Sequence, residues 1–135
     1  DIKQGLGGIF MEQKKKQNHK LYGGFQYAFA GIVTGLKQEQ NMKMHAVMTA
    51  LVVIAGFFFH ISMTEWCICL LLCGLIMALE LVNTAVEAVV DLVTEERKPL
   101  AKIAKDTAAG AVFILAIFSA VIGCIIFLPK VIAWI

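Results

Sequence analysis

The chain has 135 residues, of which 59% are hydrophobic and only 16% charged, with a formal net charge of +2 and a mean hydropathy of +0.78. A soluble domain needs a polar shell in which roughly a quarter of the residues are charged, so a soluble globular enzyme is excluded and an integral membrane protein is expected. The net charge is too slight and too segregated to indicate a nucleic-acid partner.

Residues 1–10 (DIKQGLGGIF) show no periodicity and precede Met11, itself able to serve as a start, so residues 1–19 are expected to be a disordered tail before a single domain over 20–135. Residues 1–45 lack the basic start, short apolar core and small-residue cleavage site of a secretory signal. Within 21–40 a different pattern begins: Leu21, Phe25, Ala28, Ile32 and Leu36 recur at spacings of three or four, with Gln26, Thr34 and Lys37 elsewhere. That spacing predicts an amphipathic helix lying on the membrane surface. Its glycines Gly23, Gly24, Gly31 and Gly35 weaken it as an isolated helix but permit close approach in a bundle.

A hydrocarbon core about 30 Å thick takes about 20 apolar residues to cross as a helix. Three runs qualify: 44–61, 66–93 and 107–128, the last free of charge and expected to end at Pro129. Only Ser62, Met63, Thr64 and Glu65 separate the first two, which predicts a tight antiparallel hairpin. Lys14, Lys15, Lys16, Lys20, Lys37 and Lys43 precede the first span, and Arg97, Lys98, Lys102 and Lys105 lie between the second and third. The first loop has no basic residue, so the N-terminus and the second loop are expected on the cytoplasmic side. Cys67, Cys69, Cys73 and Cys124 all fall in apolar runs and read as small packing residues rather than thiol chemistry.

The second span carries the anomaly. Glu80, Asn83, Glu87 and Asp91 interrupt it at spacings of three, four and four, which puts them on one helical face as a polar stripe about 16 Å long. An Asp at the centre of a span is unfavourable by about 2.5 kcal/mol or more, so such groups are normally sheltered and functional. Asp91, and Glu87 with it, can alternatively lie just beyond the bilayer on an extended helix; Glu80, preceded by the apolar run Trp66–Leu79, is harder to explain that way. Carboxylates are hard oxygen ligands of the kind Mg²⁺ takes together with nucleotide phosphates, and Glu39 at the end of the surface helix supplies another. The loop holding Glu95, Glu96, Arg97 and Lys98, followed by Lys102, Lys105 and Asp106, is placed to meet a polyanion, although mixed-charge loops are commonly just solvated. No GxxxxGK[ST] or GxGxxG phosphate loop is present, and His19, His45 and His60 are too scattered to suggest a Ser-His-Asp arrangement.

The string ALELVNTAVEAVVDLV (Ala78 to Val93), with LAKIAKDTAAGAV (Leu100 to Val112), resembles the signature of the small prokaryotic diacylglycerol kinase family, E-x-x-N-[ST]-A-x-E-x-x-V-D followed by A-K-D-x-x-[AS]-[AG]-A-V. The resemblance spans about residues 20 to 130, and KQEQNMKMHA (Lys37 to Ala46) and the IIFLPK ending (Ile125 to Lys130) are most similar to its Gram-positive branch, which phosphorylates undecaprenol. It implies an all-α homotrimer of three-span protomers with active sites shared between neighbours, in a bacterial plasma membrane, transferring the ATP γ-phosphate to a lipid hydroxyl with Mg²⁺. It further implies that Glu80 is the catalytic base and that Glu39 and Glu87 are metal ligands. Asn83, Glu96, Arg97, Lys98, Lys105 and Asp106 would meet the nucleotide, as would Tyr27 and Lys20. Lys20 stands where the diacylglycerol kinase branch has an arginine, and a lysine cannot form the two-pronged contact of a guanidinium. Asn41, Lys43 and His45 would begin the lipid headgroup region beside Glu80.

The residues taken alone agree in outline with this chemistry. A lipid alcohol needs a base to take its proton, and phosphoryl transfer otherwise requires positioning and charge neutralisation. Diacylglycerol is the nearest alternative acceptor. A small cation channel lined by the stripe, or a structural membrane subunit, are the readings from other classes. The channel is disfavoured because nothing polar of similar weight continues the stripe from Ile68 to Met77.

Overall fold

A computed structural model describes residues 2–135. It contains four helices in chain order, α1 (Ile2–Gln38), α2 (Gln40–Phe58), α3 (Met63–Val93) and α4 (Pro99–Trp134), and no strand among the described residues. Helices α2, α3 and α4 are each long and apolar enough to cross a membrane. The chain divides into two units, residues 1–34 and residues 35–135. The described part of the first is helical and exposed at almost every position. The second contains the three apolar helices.

Several boundaries differ from the sequence reading, each for a local reason. Residues 2–19, expected as a disordered tail, are helical, because α1 begins at Ile2. The helix expected over 21–40 stops at Gln38, where Glu39 adopts an extended backbone (φ −101°, ψ 119°) and becomes the N-cap of α2. Helix α2 therefore starts before the expected position 44. It ends before 61 because His60 takes a left-handed conformation (φ 50°), with Ile61 N–H donating to the Gly56 carbonyl (3.2 Å) and His60 N–H to the Phe57 carbonyl (3.4 Å). These two bonds are the Schellman closure of a helix C-terminus. Helix α4 starts at Pro99 rather than 107, since proline is pre-set for the first helical turn and needs no N–H there. It also runs through Pro129 to Trp134, so Pro129 does not end it. Only one turn follows that proline, and that turn is held from outside: Lys130 Nζ reaches Glu65 Oε2 (2.8 Å), and the Trp134 ring lies edge-on to Phe58 at 5.7 Å.

The hairpin between α2 and α3 is tightly specified. The Ser62 hydroxyl accepts from Glu65 N–H (3.2 Å) while a Glu65 carboxylate oxygen accepts from Ser62 N–H (3.0 Å), a reciprocal capping box that starts α3. Because its second oxygen holds Lys130, Glu65 ties the start of α3 to the end of α4.

Helix α3 packs against both α2 and α4 and is the central element of the second unit. At the hairpin end, Ile61, Cys69 and Ile126 are buried and surrounded by Val52, Phe59, Trp66, Ile122 and Phe127. At the other end Met42 is the most enclosed side chain, 2% exposed, and beside it Gly35 comes so near α3 that a Cβ there would sit 2.5 Å from Leu81 Cδ2. Gly56 plays the same role at the hairpin, where a Cβ would lie 2.6 Å from the Trp66 ring. Outside these contacts many large apolar side chains, Phe57, Leu71, Phe113 and Phe118 among them, are exposed on the protomer, as expected of a chain whose solvent is lipid.

The indole of Trp66 is rigid and tilted against Phe57 at 4.9 Å, so it cannot yield to a methyl group as a flexible side chain would. Gly56→Ala is expected to destabilise the folded protein by about 1–3 kcal/mol through overpacking, read as a lowered thermal midpoint in mild detergent. An unchanged midpoint would contradict this close approach.

Candidate active site

The polar stripe of α3 starts deep and ends in the open. Glu80 is 4% exposed and Asn83 8%, Glu87 is half-buried and Asp91 exposed. The gradient follows from packing: Glu80 and Asn83 stand where α2 and α4 both flank α3, and Asp91 lies half a turn from the end of the helix at Val93.

At the buried end a cleft of about 220 Å³ is lined by Asn41, Met44 and His45 from α2, Glu80 and Asn83 from α3, and Ala109, Val112, Phe113 and Ala116 from α4. Four of the residues singled out in the sequence therefore meet: Glu80, Asn83, Asn41 and His45. The Asn83 side-chain amide donates to Glu87 Oε1 (3.4 Å), which links the cleft to the next carboxylate. Its carbonyl oxygen, Asn83 Oδ1, is buried and accepts no hydrogen bond from the protein. A buried acceptor without a donor is unfavourable by roughly 1–3 kcal/mol, so the cleft is matched to a molecule bearing a hydroxyl or bound water.

The exposed end forms a second, wider hollow of about 660 Å³, lined by Asp91 and Thr94 of α3 and its C-cap, by Glu96, Arg97 and Lys98 of the connecting loop, and by Lys102, Lys105 and Asp106 of α4. Lys105 Nζ contacts Asp91 Oδ1 (2.6 Å), and Lys102 pairs with Asp106 one turn along. The Thr94 hydroxyl accepts from Glu96 N–H (3.1 Å) and helps shape the five-residue turn between Val93 and Pro99. All the predicted nucleotide residues after position 90 line this hollow. Arg97, Lys98, Lys102 and Lys105 share the hollow with the acidic Asp91, Glu95, Glu96 and Asp106, and the exposed pairs Lys105–Asp91 and Lys102–Asp106 contribute little to stability, so they can exchange partners.

Glu39 is half-buried at the N-cap of α2 and makes no capping hydrogen bond with its side chain, leaving both carboxylate oxygens free of that duty. Lys43 is exposed one turn further on and does not line the cleft. Lys20 and Tyr27 belong to the first unit and are exposed on α1, where both border a shallow depression with Lys16 and His19. Among the described residues no three His, Cys, Asp or Glu side chains gather as a ready-made metal site. The carboxylates of Glu39 and Glu87 nevertheless suit Mg²⁺, which usually takes one or two carboxylates and completes its shell with phosphates and water.

Two features were not visible in the sequence. The first is the approach of His45 to Glu80, with Nε2 3.4 Å from Oε1 across a separation of 35 positions. The second is the α4 wall of Val112, Phe113 and Ala116 that closes the cleft. The Asp91–Lys105 pair was accessible in principle, since a turn of five residues must place the last polar residue of α3 beside the first turns of α4.

A buried cleft holding Glu80 and Asn83 and an open hollow lined by four acidic and four basic side chains thus lie on a bundle of membrane-length helices. Comparison with known proteins names the class. The family model for prokaryotic diacylglycerol kinase matches residues 26–127, and the chain belongs to that family of membrane lipid kinases. It is 44% identical over 122 residues to the undecaprenol kinase of Bacillus subtilis, covering 89% of this chain and 99% of that one. It is 38% identical over 114 residues to the diacylglycerol kinase of a Synechocystis species, covering 84% of this chain and 65% of that one. The diacylglycerol kinase of Pseudomonas aeruginosa is 32% identical over 88 residues, covering 65% of this chain and 72% of that one.

Proposed function

We propose that the protein transfers the γ-phosphate of ATP to the hydroxyl of undecaprenol, regenerating the phosphorylated lipid carrier used in cell-wall synthesis. The observation that carries this reading is the buried cleft in which Glu80 and Asn83 meet Asn41 and His45, with Asn83 donating to Glu87, the next carboxylate toward the charged hollow at the end of α3; the near full-length similarity to an undecaprenol kinase favours undecaprenol over diacylglycerol as the acceptor.

In this mechanism the lipid hydroxyl enters the cleft at the membrane-buried end and Glu80 takes its proton. The oxygen forms a bond to the γ-phosphorus as the bond from phosphorus to the ADP oxygen breaks, with the electron pair leaving on ADP. Asn83 accepts a hydrogen bond at Oδ1 and holds Glu87 through its amide. Lys105, Arg97 and Lys98 neutralise the phosphates, with Glu96 and Asp106 shaping the hollow. Glu39 and Glu87 would hold Mg²⁺ together with the nucleotide, and the ion would supply charge neutralisation for the transferring phosphoryl group. Asn41 and Lys43 flank the entrance used by the lipid headgroup.

The same reading places the α3–α4 loop on the cytoplasmic side with the ATP pool, consistent with Arg97, Lys98, Lys102 and Lys105 there and no basic residue in the α2–α3 turn. Residues 21–38 of α1 lie along that membrane surface with Leu21, Phe25 and Ile32 toward lipid. Three protomers assemble into a homotrimer, which covers apolar surface and encloses the lower stripe from neighbouring chains.

Three measurements follow. Labelled γ-phosphate transfer from Mg-ATP is expected to favour undecaprenol over diacylglycerol, and Glu80→Gln is expected to reduce it at least about 100-fold while still assembling; retention of more than about a tenth of the rate would remove Glu80 as the base, because positioned bases contribute about 10² to 10⁴. Glu39→Ala and Glu87→Ala are each expected to need more Mg²⁺ for half-maximal rate, and an unchanged titration takes that residue out of the metal site. Native mass in mild detergent is expected to be that of three chains, and a fully active monomer would contradict the trimer.

A further inference from the structure

His45 projects from α2 into the same cleft as Glu80, and the pair is nearly sealed: the side chains are 14% and 5% exposed, with Nε2 3.4 Å from Oε1. The approach is set by packing around it. Gly35, at the end of α1, lies against Leu81, the residue following Glu80, and against Met42, the enclosed side chain in the first turn of α2. One turn beyond His45, the Thr49 hydroxyl donates to the His45 carbonyl (2.8 Å), so that the local helix is braced on the side facing Met77.

Of the other charged groups near this end of the bundle, Glu39 is half-buried without a side-chain partner and the rest are engaged or exposed. Lys105 is held by Asp91, Glu87 accepts from Asn83, and Lys43 is exposed. Among the described residues, His45 is the only ion-pair partner of the Glu80 carboxylate, and no side-chain hydrogen bond reaches that carboxylate. A carboxylate this far from water needs a donor to fix its orientation, and contacts of catalytic groups are commonly longer before substrate binds.

We infer that His45 is a positioning residue for phosphoryl transfer: its Nε2–H is donated to Glu80 Oε1, and this holds the carboxylate so that Oε2 receives the proton of the lipid hydroxyl. The inference rests on the assignment of Glu80 as the base. It replaces headgroup recognition as the work of His45. The imidazole keeps its own proton throughout; the O–H bond of the lipid breaks, its proton goes to Glu80, and the oxygen gains its bond to phosphorus. Either the neutral ring with hydrogen on Nε2 or the imidazolium can serve, because both offer that hydrogen. A fixed carboxylate needs no reorientation as the proton is transferred, so the effect belongs to turnover and not to lipid binding.

The test compares His45→Gln, His45→Asn and Glu80→Gln with the unaltered full chain, in steady-state kinetics with Mg-ATP and undecaprenol or diacylglycerol, whichever is the better acceptor. A glutamine amide nitrogen reaches the position of Nε2, whereas the asparagine amide is too short. His45→Asn is expected to lower kcat about 10- to 100-fold with the lipid KM within about twofold, and His45→Gln to restore kcat to within about threefold. A raised lipid KM with unchanged kcat would overturn the inference in favour of headgroup binding. Equal damage in both variants would overturn it in favour of the ring itself handling the proton, and wild-type kinetics in both would remove His45 from the reaction. The parent reading fails separately, by activity surviving in Glu80→Gln.

Discussion

A carboxylate and an amide in the middle of an apolar helix have to be withdrawn from lipid, and the packing of the bundle follows from that requirement. Among the described residues Glu80 and Asn83 are the buried polar side chains, and they occupy the segment of α3 that both other apolar helices flank. Gly35 of α1 lies against Leu81 of α3 just there, with Met42 of α2 enclosed beside it, and Val112 of α4 lines the cleft. A leucine pair at 80 and 83 would pack with less penalty. The polar pair is therefore understood as functional, and the glycine contact and the α4 wall as what its burial demands.

The stripe runs from a dry end to a wet one, and the chemistry divides along it. In the proposed reaction the lipid hydroxyl meets the end enclosed by helices, and ATP the end that opens at the short α3–α4 turn. Asn83 lies between, donating to Glu87 while its own carbonyl stays free for a ligand. Glu65, at the opposite end of α3, has a structural task instead, capping the helix and holding Lys130. Two glutamates on one helix thus differ in role because one faces a cleft and the other a complete set of partners.

Much of this was legible in the sequence. The apolar runs located the three spans, and the spacing of Glu80, Asn83, Glu87 and Asp91 placed them on one face before any coordinates. The boundaries were less legible because they depend on tertiary contacts. Pro129 breaks an isolated helix, yet Lys130 and Trp134 are gripped from neighbouring elements, and α4 continues. Residues 1–10 carry no apolar period, and Gly5, Gly7 and Gly8 lower the helix propensity there, so neither signal reported the helix that begins at Ile2. The meeting of His45 with Glu80 was invisible for a different reason: it depends on the rotation of α2 about its axis, which the packing of helices sets and the spacing of residues does not report.

In the proposed reaction the Glu80 cleft receives the hydroxyl end of the lipid. The most direct test of this placement is photolabelling with a polyprenol carrying a diazirine next to the hydroxyl, followed by mass-spectrometric mapping in the presence of a non-hydrolysable ATP analogue. Labelling is expected on Val112, Phe113 and Ala116 of α4 and on Met44 of α2, and to fall when excess unlabelled polyprenol competes. Labelling confined to outward residues such as Leu70 and Leu71, with those cleft residues unmodified, would contradict it.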